Sequence, residues 1–293
     1  MISGRLVETG DAWPASFVAM KALACSLGLA MSVQLATAQS NLTGHAAELF
    51  KQAQGGKFYA TAAKLHPDYL PTSDGQSFIT VWRATGTNAP QHWIVSVPGR
   101  EGFATDDLAI WSKHLVGRDV GLVSVQWWLG GDNERTSYYT PEQVYREIDR
   151  ALQKLGVAPG TVMFHGFSRG SANSYAIAAL DHGHGKKYFA LNVASSGGVA
   201  LDYPPTRALV DGAYGDHPLR GTRWVTAAGA KDSERDGIAA MRRTAARLKE
   251  QGATVEFSIE DPNLGHGALV LNPKNAQRVL DLFLAEKNPK SHP

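Results

Sequence analysis

Hydrophobic positions from residue 77 onward follow two alternating patterns along the chain. Short runs rich in β-branched and aromatic residues predict strands, and longer stretches with apolar residues three or four positions apart predict helices. This alternation is typical of a largely parallel sheet that is covered by helices on both faces. The predicted strands are 77–83, 92–97, 120–128, 161–165, 188–194, 223–228 and 254–259, and the predicted helices are 105–116, 141–155, 171–180, 234–251 and 275–286.

Two connections in this pattern are candidates for covering a site. They are residues 129–140, which are polar and rich in glycine, and residues 199–221, which contain three prolines and are predicted to be irregular. Neither is long enough for a separate lid domain, so the sequence predicts an α/β fold with a minimal lid or none.

A pentapeptide, Gly166-Phe167-Ser168-Arg169-Gly170, stands between the strand predicted at 161–165 and the helix predicted at 171–180. A serine at such a tight turn has a strained backbone and an exposed hydroxyl, and a Cβ on either flanking glycine would collide with the neighbouring strand or helix. The same five-residue pattern also occurs by chance in ordinary glycine-rich turns. The strand before it and the helix after it favour Ser168 as a nucleophile.

Asp232 and His266 each follow a predicted strand, in the order acid and then histidine that a serine nucleophile of such a fold requires. Glycines on both sides of His266 let its loop bring the imidazole over the serine. Asp232 has an alternative role as the N-cap of the next helix. Asp236, inside a predicted helix, and Asp261, close to the last strand and to His266, are weaker candidates for the acid.

Two backbone N–H groups are predicted to stabilise a developing oxyanion. One belongs to Arg169, directly after the serine, where the positive end of a helix begins. The other belongs to the loop at 98–102, with Arg100 preferred and Gly99 second. This glycine-rich loop lacks the lysine and hydroxyl residues of a nucleotide-binding loop, so phosphate binding is the weaker interpretation.

Aromatic residues follow the strand predicted at 120–128. Trp127, Trp128, Tyr138 and Tyr139 are predicted to surround the mouth of the site as an apolar pocket, with Tyr203 on a nearby loop. Side chains alternate along a strand, so one of the two tryptophans is also a candidate for the core.

The histidines other than His266 are weaker candidates for a catalytic role. His165 is predicted to pack beneath the serine turn. His182 and His184 lie in a glycine-containing stretch without a third spaced ligand, so we expect a solvated turn there and no metal site.

The first 38 residues resemble a secretory targeting segment. Lys21 precedes an apolar run at 22–35, and Ala36-Thr37-Ala38 is a cleavage pattern. A transmembrane anchor is the alternative, but the run is too short to span a bilayer. Met20 is an alternative start. Cleavage would remove Cys25, the single cysteine, and leave residues 39–293 as one domain in a secreted or periplasmic protein without disulfide or thiol chemistry.

Composition agrees with one globular domain. Hydrophobic residues make up 43% of the chain and charged residues 19%, and the formal net charge is +2 without a basic stripe, so nucleic acid is an unexpected partner. The sequence leaves the oligomeric state open.

The motifs at 166–170, 229–232 and 265–267 resemble those of the α/β-hydrolase superfamily. Within it the chain is similar to small secreted or periplasmic esterases related to polyhydroxyalkanoate depolymerase-like and dienelactone hydrolase-like proteins. The resemblance covers most of the chain from about residue 77, and it implies hydrolysis of small or polymeric esters through an acyl-serine intermediate, without a cofactor. The loop at 98–102 departs from the common His-Gly pattern, since it carries Pro98-Gly99. A small peptidase, a polymer depolymerase and a non-catalytic binding protein of the same fold remain alternatives.

Overall fold

The structure is a computed structural model that describes residues 41–84, 90–133, 136–183 and 186–285. The predicted targeting segment at 1–38, with Cys25, lies outside these residues and stays a prediction. His184 also lies outside them.

The centre of the fold is a sheet of eight strands in the order β1-β2-β4-β3-β5-β6-β7-β8. Strand β2 pairs antiparallel with both β1 and β4, and all the other pairs are parallel, so the carboxyl ends of β3 to β8 lie at one edge. The strands are β1 Asp68–Pro71, β2 Phe78–Arg83, β3 His92–Val97, β4 Val120–Val125, β5 Val162–Phe167, β6 Phe189–Ser195, β7 Arg223–Gly229 and β8 Thr254–Asp261.

Helices cover both faces of this sheet and bury an apolar layer on each side. One layer lies between the sheet and α4 and α5, and the other lies between the sheet and α3 and α9. Within the described part of the chain, no helix has both the length and the apolar character needed to cross a bilayer. The helices are α1 Gly44–Gln54, α2 Tyr59–Ala63, α3 Ala104–Leu115, α4 Pro141–Lys154, α5 Arg169–Gly183, α6 Pro204–Val210, α7 Ile238–Glu250, α8 Ala268–Leu271 and α9 Pro273–Leu284.

The structure confirms the predicted strands and main helices and corrects the segment at 199–221. This segment contains α6, because Pro204 and Pro205 occupy the first turn of a helix, where a missing backbone N–H has no cost. Strand β4 ends at Val125, three residues before the predicted end, and beyond it Trp128 forms an isolated antiparallel bridge with Tyr138.

Candidate active site

Ser168 lies in a strained turn between β5 and α5. Its φ angle is +53°, in the left-handed region that residues with a Cβ seldom adopt, and its N–H donates to the carbonyl of Ser195 at 2.8 Å. A Cβ at Gly166 would lie 2.6 Å from the carbonyl oxygen of Gly170, and one at Gly170 would overlap the carbonyl of Val97. Both glycines are therefore required by close backbone approach, as predicted.

The loop after β3 packs directly against this turn. A Cβ at Gly99 would lie 3.2 Å from the Cβ of Ser168, so the two backbones are almost in contact. Later in the loop, the N–H of Glu101 donates to the hydroxyl of Tyr138 at 3.2 Å and that of Gly102 donates to the carbonyl of Gly99 at 3.2 Å. These two N–H groups are already used, which favours the earlier part of the loop as a source of oxyanion donors.

Asp232 and His266 are in contact. Nδ1 of His266 lies 3.0 Å from each carboxylate oxygen of Asp232. The side chain of Asp232 is only 5% exposed, whereas that of His266 is 41% exposed. Because a carboxylate only accepts hydrogen bonds, Nδ1 carries the proton, and Nε2 of the neutral ring is a proton acceptor.

Backbone hydrogen bonds join the two loops that carry this pair. The N–H of Ala230 donates to the carbonyl of Asp261 at 2.8 Å, and the N–H of Lys231 donates to that of Leu264 at 2.9 Å. A Cβ at Gly229 would overlap the carbonyl of Leu264 and lie 2.5 Å from that of Gly265. Only glycine at the end of β7 therefore lets the histidine loop come this close.

Asp261 organises the histidine loop, a role that the sequence analysis did not predict. Its carboxylate accepts hydrogen bonds from the backbone of Asn263 and Leu264 and from the side chains of Asn272 and Asn275, at 2.7 to 3.1 Å. These donors, with Asn272 the strongest, lower the pKa of the Asp261 carboxyl. Four convergent donors around one acidic residue fix the turn that precedes His266.

His266 also lies beside the serine turn. Its ring centroid is 4.9 Å from that of Phe167, the residue before Ser168. Both residues are described, and no hydrogen bond joins the Ser168 hydroxyl to His266 in this conformation. Contacts between nucleophile and base are often long in proteins without substrate and shorten when it binds.

Asp236 lies near the same pair, so a cation site has to be considered. Ligand atoms of Asp232, Asp236 and His266 lie within 4.8 Å of one another. Nδ1 of His266 already donates to Asp232, and a cation bound to that nitrogen would break the hydrogen bond. The arrangement therefore fits proton transfer better than metal binding.

Two of the four predicted pocket aromatics lie in the core instead. Trp127 is 1% exposed, and its indole N–H donates to the carbonyl of Pro98 at 2.8 Å, which supports the loop after β3 from below. Tyr139 is 4% exposed, and its hydroxyl donates to Asp74 at 2.7 Å. Neighbouring side chains in an extended chain point to opposite sides. Trp127 is therefore buried where Trp128 is not, and Tyr139 is buried where Tyr138 is not.

The other two predicted aromatics lie nearer the surface. Trp128 packs against Phe103 with ring centroids 5.5 Å apart. Tyr138 lies under the guanidinium of Arg169, with 4.1 Å from the guanidinium carbon to the ring centroid.

A cavity of about 300 Å³ lies beside Ser168. This cavity is not the apolar aromatic pocket that the sequence predicted, because charged and small residues form most of its lining. Among the described residues, its lining includes Tyr203 and the following charged and small residues: Arg100, Arg169, Arg235, Asp236, Ala172, Gly197, Gly198 and Ala200.

A buried polar chain lies beneath the turn. The indole of Trp111 donates to Nδ1 of His165 at 3.1 Å, so this nitrogen carries no proton. The hydroxyl of Ser96 lies 2.9 Å from the same nitrogen and 2.6 Å from Asp107. If Ser96 donates to His165, Asp107 must be protonated to donate to Ser96, and burial does raise the pKa of Asp107 to about 7. Burial lowers the pKa of His165 to about 3, so this residue stays neutral.

Several solved structures with a similar fold are esterases. No protein-family model and no curated protein matches the sequence. A hyperthermophilic esterase from the archaeon Pyrobaculum calidifontis has a TM-score of 0.57 at 16% identity, over 80% of this chain and 92% of that chain. A fungal esterase from Rhizomucor miehei has a TM-score of 0.56 at 14% identity, over 86% and 94%. A thermostable carboxylesterase from a metagenomic library has a TM-score of 0.56 at 16% identity, over 80% and 95%.

These likenesses and the strand order define the fold. The chain has the fold of the α/β-hydrolase superfamily, with Ser168, Asp232 and His266 at the carboxyl ends of β5, β7 and β8. The narrower resemblance to depolymerase-like and dienelactone hydrolase-like proteins stays a prediction.

Proposed function

We propose that the protein is a serine hydrolase that cleaves carboxylic esters through an acyl-serine intermediate. The observation that carries this proposal is the Asp232–His266 hydrogen bond, at the same edge of the sheet as the strained turn of Ser168. Activation of a serine hydroxyl for attack on a carbonyl needs a histidine that accepts its proton and a carboxylate that orients the histidine. The esterase neighbours of the same fold support the choice of ester chemistry.

The reaction follows from the tautomer of His266. Nε2 takes the proton of Ser168 as the serine oxygen attacks the ester carbonyl, and the imidazolium then gives that proton to the leaving alcohol. Asp232 stabilises the imidazolium and keeps Nδ1 protonated. Water attacks the acyl-enzyme with Nε2 again as base, which releases the acid and restores Ser168.

Backbone N–H groups stabilise the tetrahedral intermediate. The N–H of Arg169 begins α5, where the helix dipole adds positive potential, and that of Arg100 is the proposed second donor. The close contact of Gly99 with Ser168 supports this choice, because it puts the start of the loop beside the side chain of the proposed nucleophile. Each such donor contributes about 3 kcal/mol to transition-state stabilisation.

Hydrolysis of p-nitrophenyl butyrate tests the proposal. We expect Ser168→Ala to lower kcat/KM by at least about 10⁴-fold, because the nucleophile is lost. Ser174→Ala is the matched control: this serine lies on α5, less than two turns after Ser168, its hydroxyl donates to the carbonyl of Ser171 at 2.7 Å, and its loss should leave the rate within about twofold. Hydrolysis that persists in the Ser168 variant would disprove the mechanism.

Two further measurements separate the alternatives. An aminoacyl-p-nitroanilide distinguishes a peptidase, and we expect it to be cleaved far more slowly than the ester. A fluorophosphonate probe should label Ser168 in the wild type; absence of labelling together with absence of ester hydrolysis would favour a non-catalytic binding protein.

A further inference from the structure

Two aromatic side chains that follow β4 hold the loop from which the second oxyanion donor is proposed to come. This loop, residues 98–102, is here called the oxyanion loop. The indole N–H of Trp127 donates to the carbonyl of Pro98 at 2.8 Å, and the hydroxyl of Tyr138 accepts a hydrogen bond from the N–H of Glu101 at 3.2 Å. The two rings are in contact, with centroids 4.7 Å apart. One aromatic pair therefore supports both the start of the oxyanion loop and its later part.

The backbone on both sides of Tyr138 is itself fixed by hydrogen bonds. The N–H of Tyr139 donates to the carbonyl of Trp127 at 2.9 Å, and the N–H of Leu129 donates to the carbonyl of Ser137 at 2.8 Å. The hydroxyl of Tyr138 therefore projects from a supported segment, and its position relative to the oxyanion loop is defined by the fold.

The residue that Tyr138 holds has a strained backbone. The φ angle of Glu101 is +54°, in the left-handed region that residues with a Cβ seldom adopt. Such a conformation costs free energy and persists only where surrounding contacts stabilise it. The hydrogen bond to Tyr138 is one such contact, and the bond from the N–H of Gly102 to the carbonyl of Gly99, at 3.2 Å, is another.

These hydrogen bonds determine where the candidate oxyanion donors point, because peptide groups are planar. In a trans peptide the C=O and N–H point in opposite directions, so fixing one fixes the other. The carbonyl of Pro98 shares its peptide with the N–H of Gly99, and the carbonyl of Gly99 shares its peptide with the N–H of Arg100. Trp127 holds the first carbonyl and Gly102 holds the second. The conformation of the oxyanion loop thus sets the directions of both candidate N–H groups.

We propose that Tyr138 is a positioning residue of the active site. By holding Glu101 in its strained conformation, the hydroxyl keeps the oxyanion loop in the shape that directs a backbone N–H toward the tetrahedral intermediate. The inference rests on the proposed function, because it names what holds the oxyanion donors of the same site. A donor helps only at the position that the oxyanion will occupy, and a displacement of about 1 Å can lower the rate about 10²-fold.

Tyr138→Phe tests this role, because it removes the hydroxyl and keeps the ring. With p-nitrophenyl butyrate we expect kcat to fall about tenfold or more and KM to stay within about twofold, since the oxyanion forms only in the transition state. Each kcat is expressed per serine that a fluorophosphonate probe labels, so that unfolded protein does not enter the comparison. An alkyl trifluoromethyl ketone, which adds to the serine hydroxyl as a tetrahedral hemiketal, should bind more weakly by a similar factor.

Tyr188→Phe is the matched control. Tyr188 directly precedes β6, at the opposite edge of the sheet from Ser168, and its hydroxyl donates to Asp149 at 3.0 Å. This variant also removes one hydrogen-bonded phenol hydroxyl. Both kcat and the affinity for the ketone should stay within about twofold of the wild type.

A rescue experiment shows whether Tyr138 acts through the strain at Glu101. Asparagine enters the left-handed region several times more readily than glutamine, and both are neutral amides. In the Tyr138→Phe background, Glu101→Asn should therefore restore kcat about threefold or more, whereas Glu101→Gln should not. Equal effects of the two substitutions would show that the hydroxyl does not act through the conformation of Glu101, which would overturn the proposed route.

The same measurements separate this inference from the proposed function. If hydrolysis depends on Ser168 and Tyr138→Phe keeps the kcat and the ketone affinity of the wild type, the inference is wrong and the proposed function stands. If the wild type shows no hydrolysis that depends on Ser168, the proposed function is wrong, and the inference fails with it.

Discussion

Asp107 and His165 are ionisable side chains buried beneath the serine turn, and burial shifts their pKa values in opposite directions. The pKa of Asp107 is raised to about 7 and that of His165 is lowered to about 3. At pH 5 both are neutral in the folded protein, whereas both are charged in the unfolded chain. The polar chain under Ser168 therefore holds no net charge, which is the state that a buried network tolerates best.

Asp107→Asn tests the protonation of this chain. Between about pH 4 and 7 the unfolded chain loses the Asp107 proton and the folded protein keeps it, so the contribution of Asp107 to the free energy of unfolding falls as the pH rises through this range. Asparagine does not titrate. We expect urea unfolding to show that the variant gains stability relative to the wild type over this range, by at most about 4 kcal/mol.

The control for this measurement is an exposed carboxyl. Asp216 is 90% exposed, and Asp216→Asn should change the free energy of unfolding by no more than about 0.5 kcal/mol at any of these pH values. A difference between Asp107→Asn and the wild type that stays constant from pH 4 to 8 would show that Asp107 is ionised in the folded protein.

Some residues of the candidate site could be predicted from the sequence, and others could not. Residue type and position after a strand were enough to predict that Asp232 and His266 lie close together. In the structure they are hydrogen-bonded. Their chemical roles stay predictions. The sequence predicted that one of Trp127 and Trp128 is buried but not which one, and it missed the burial of Tyr139, because the direction of a side chain after a strand depends on the bridge between Trp128 and Tyr138. The arginines that line the cavity beside Ser168 were also missed, since Arg100, Arg169 and Arg235 are far apart in the chain.

At the level of elements, the ends of β7 and β8 determine the position of His266. Gly229 ends β7 against the carbonyls of Leu264 and Gly265, and backbone hydrogen bonds from residues 230 and 231 complete the contact. The distance between Asp232 and His266 therefore depends on how closely these two loops approach.

Gly229→Ala should separate the two loops. The new methyl group would collide with two backbone carbonyls, which cannot rotate away as a side chain can. We expect the free energy of unfolding to fall by about 1 to 3 kcal/mol. Ester hydrolysis should fall about 10²-fold or more, because a displacement of about 1 Å at the base is enough for such a loss.

Gly183→Ala is the matched control, because a Cβ at that position has open space around it. It should leave both stability and hydrolysis nearly unchanged. A Gly229→Ala variant with wild-type kcat/KM would mean that the histidine loop does not depend on this contact.

The elements themselves were predictable to different degrees. Strands such as β3 and β5 were clear, because a buried parallel strand is a short apolar run with turn residues on both sides. The edge strand β1, with four residues and a terminal Pro71, has too short a pattern to stand out. The short α6 was missed because proline normally signals irregular chain, and only its place in the first turn makes it compatible with a helix.

For the whole molecule, the part of the chain that the structure describes begins at residue 41, shortly after the predicted targeting segment. Helix α1 starts at Gly44 and buries Ala46, Leu49 and Phe50 against β1 and β2. Removal of residues 1–38 would therefore take away none of these core side chains, and we propose that the protein is exported and processed.

Export can be tested by the mass of the mature chain. We expect expression of the full sequence in a bacterium with a secretory pathway to yield a periplasmic or secreted product that begins at Gln39, since cleavage follows small residues at positions 36 and 38. Ala38→Asp should block processing, whereas Ala47→Asp, beyond the predicted site, should not. An intact N-terminus in a cytoplasmic product would contradict the proposal.

The position of Arg169 has a consequence for how the substrate specificity of the protein can evolve. Its amide belongs to the main chain and is the same for every amino acid except proline, while its side chain, stacked on Tyr138, lines the cavity beside Ser168. Substitution at this position would change the lining of the cavity and keep the proposed oxyanion donor. A combinatorial library at position 169 would therefore vary substrate specificity while the proposed catalytic groups stay unchanged.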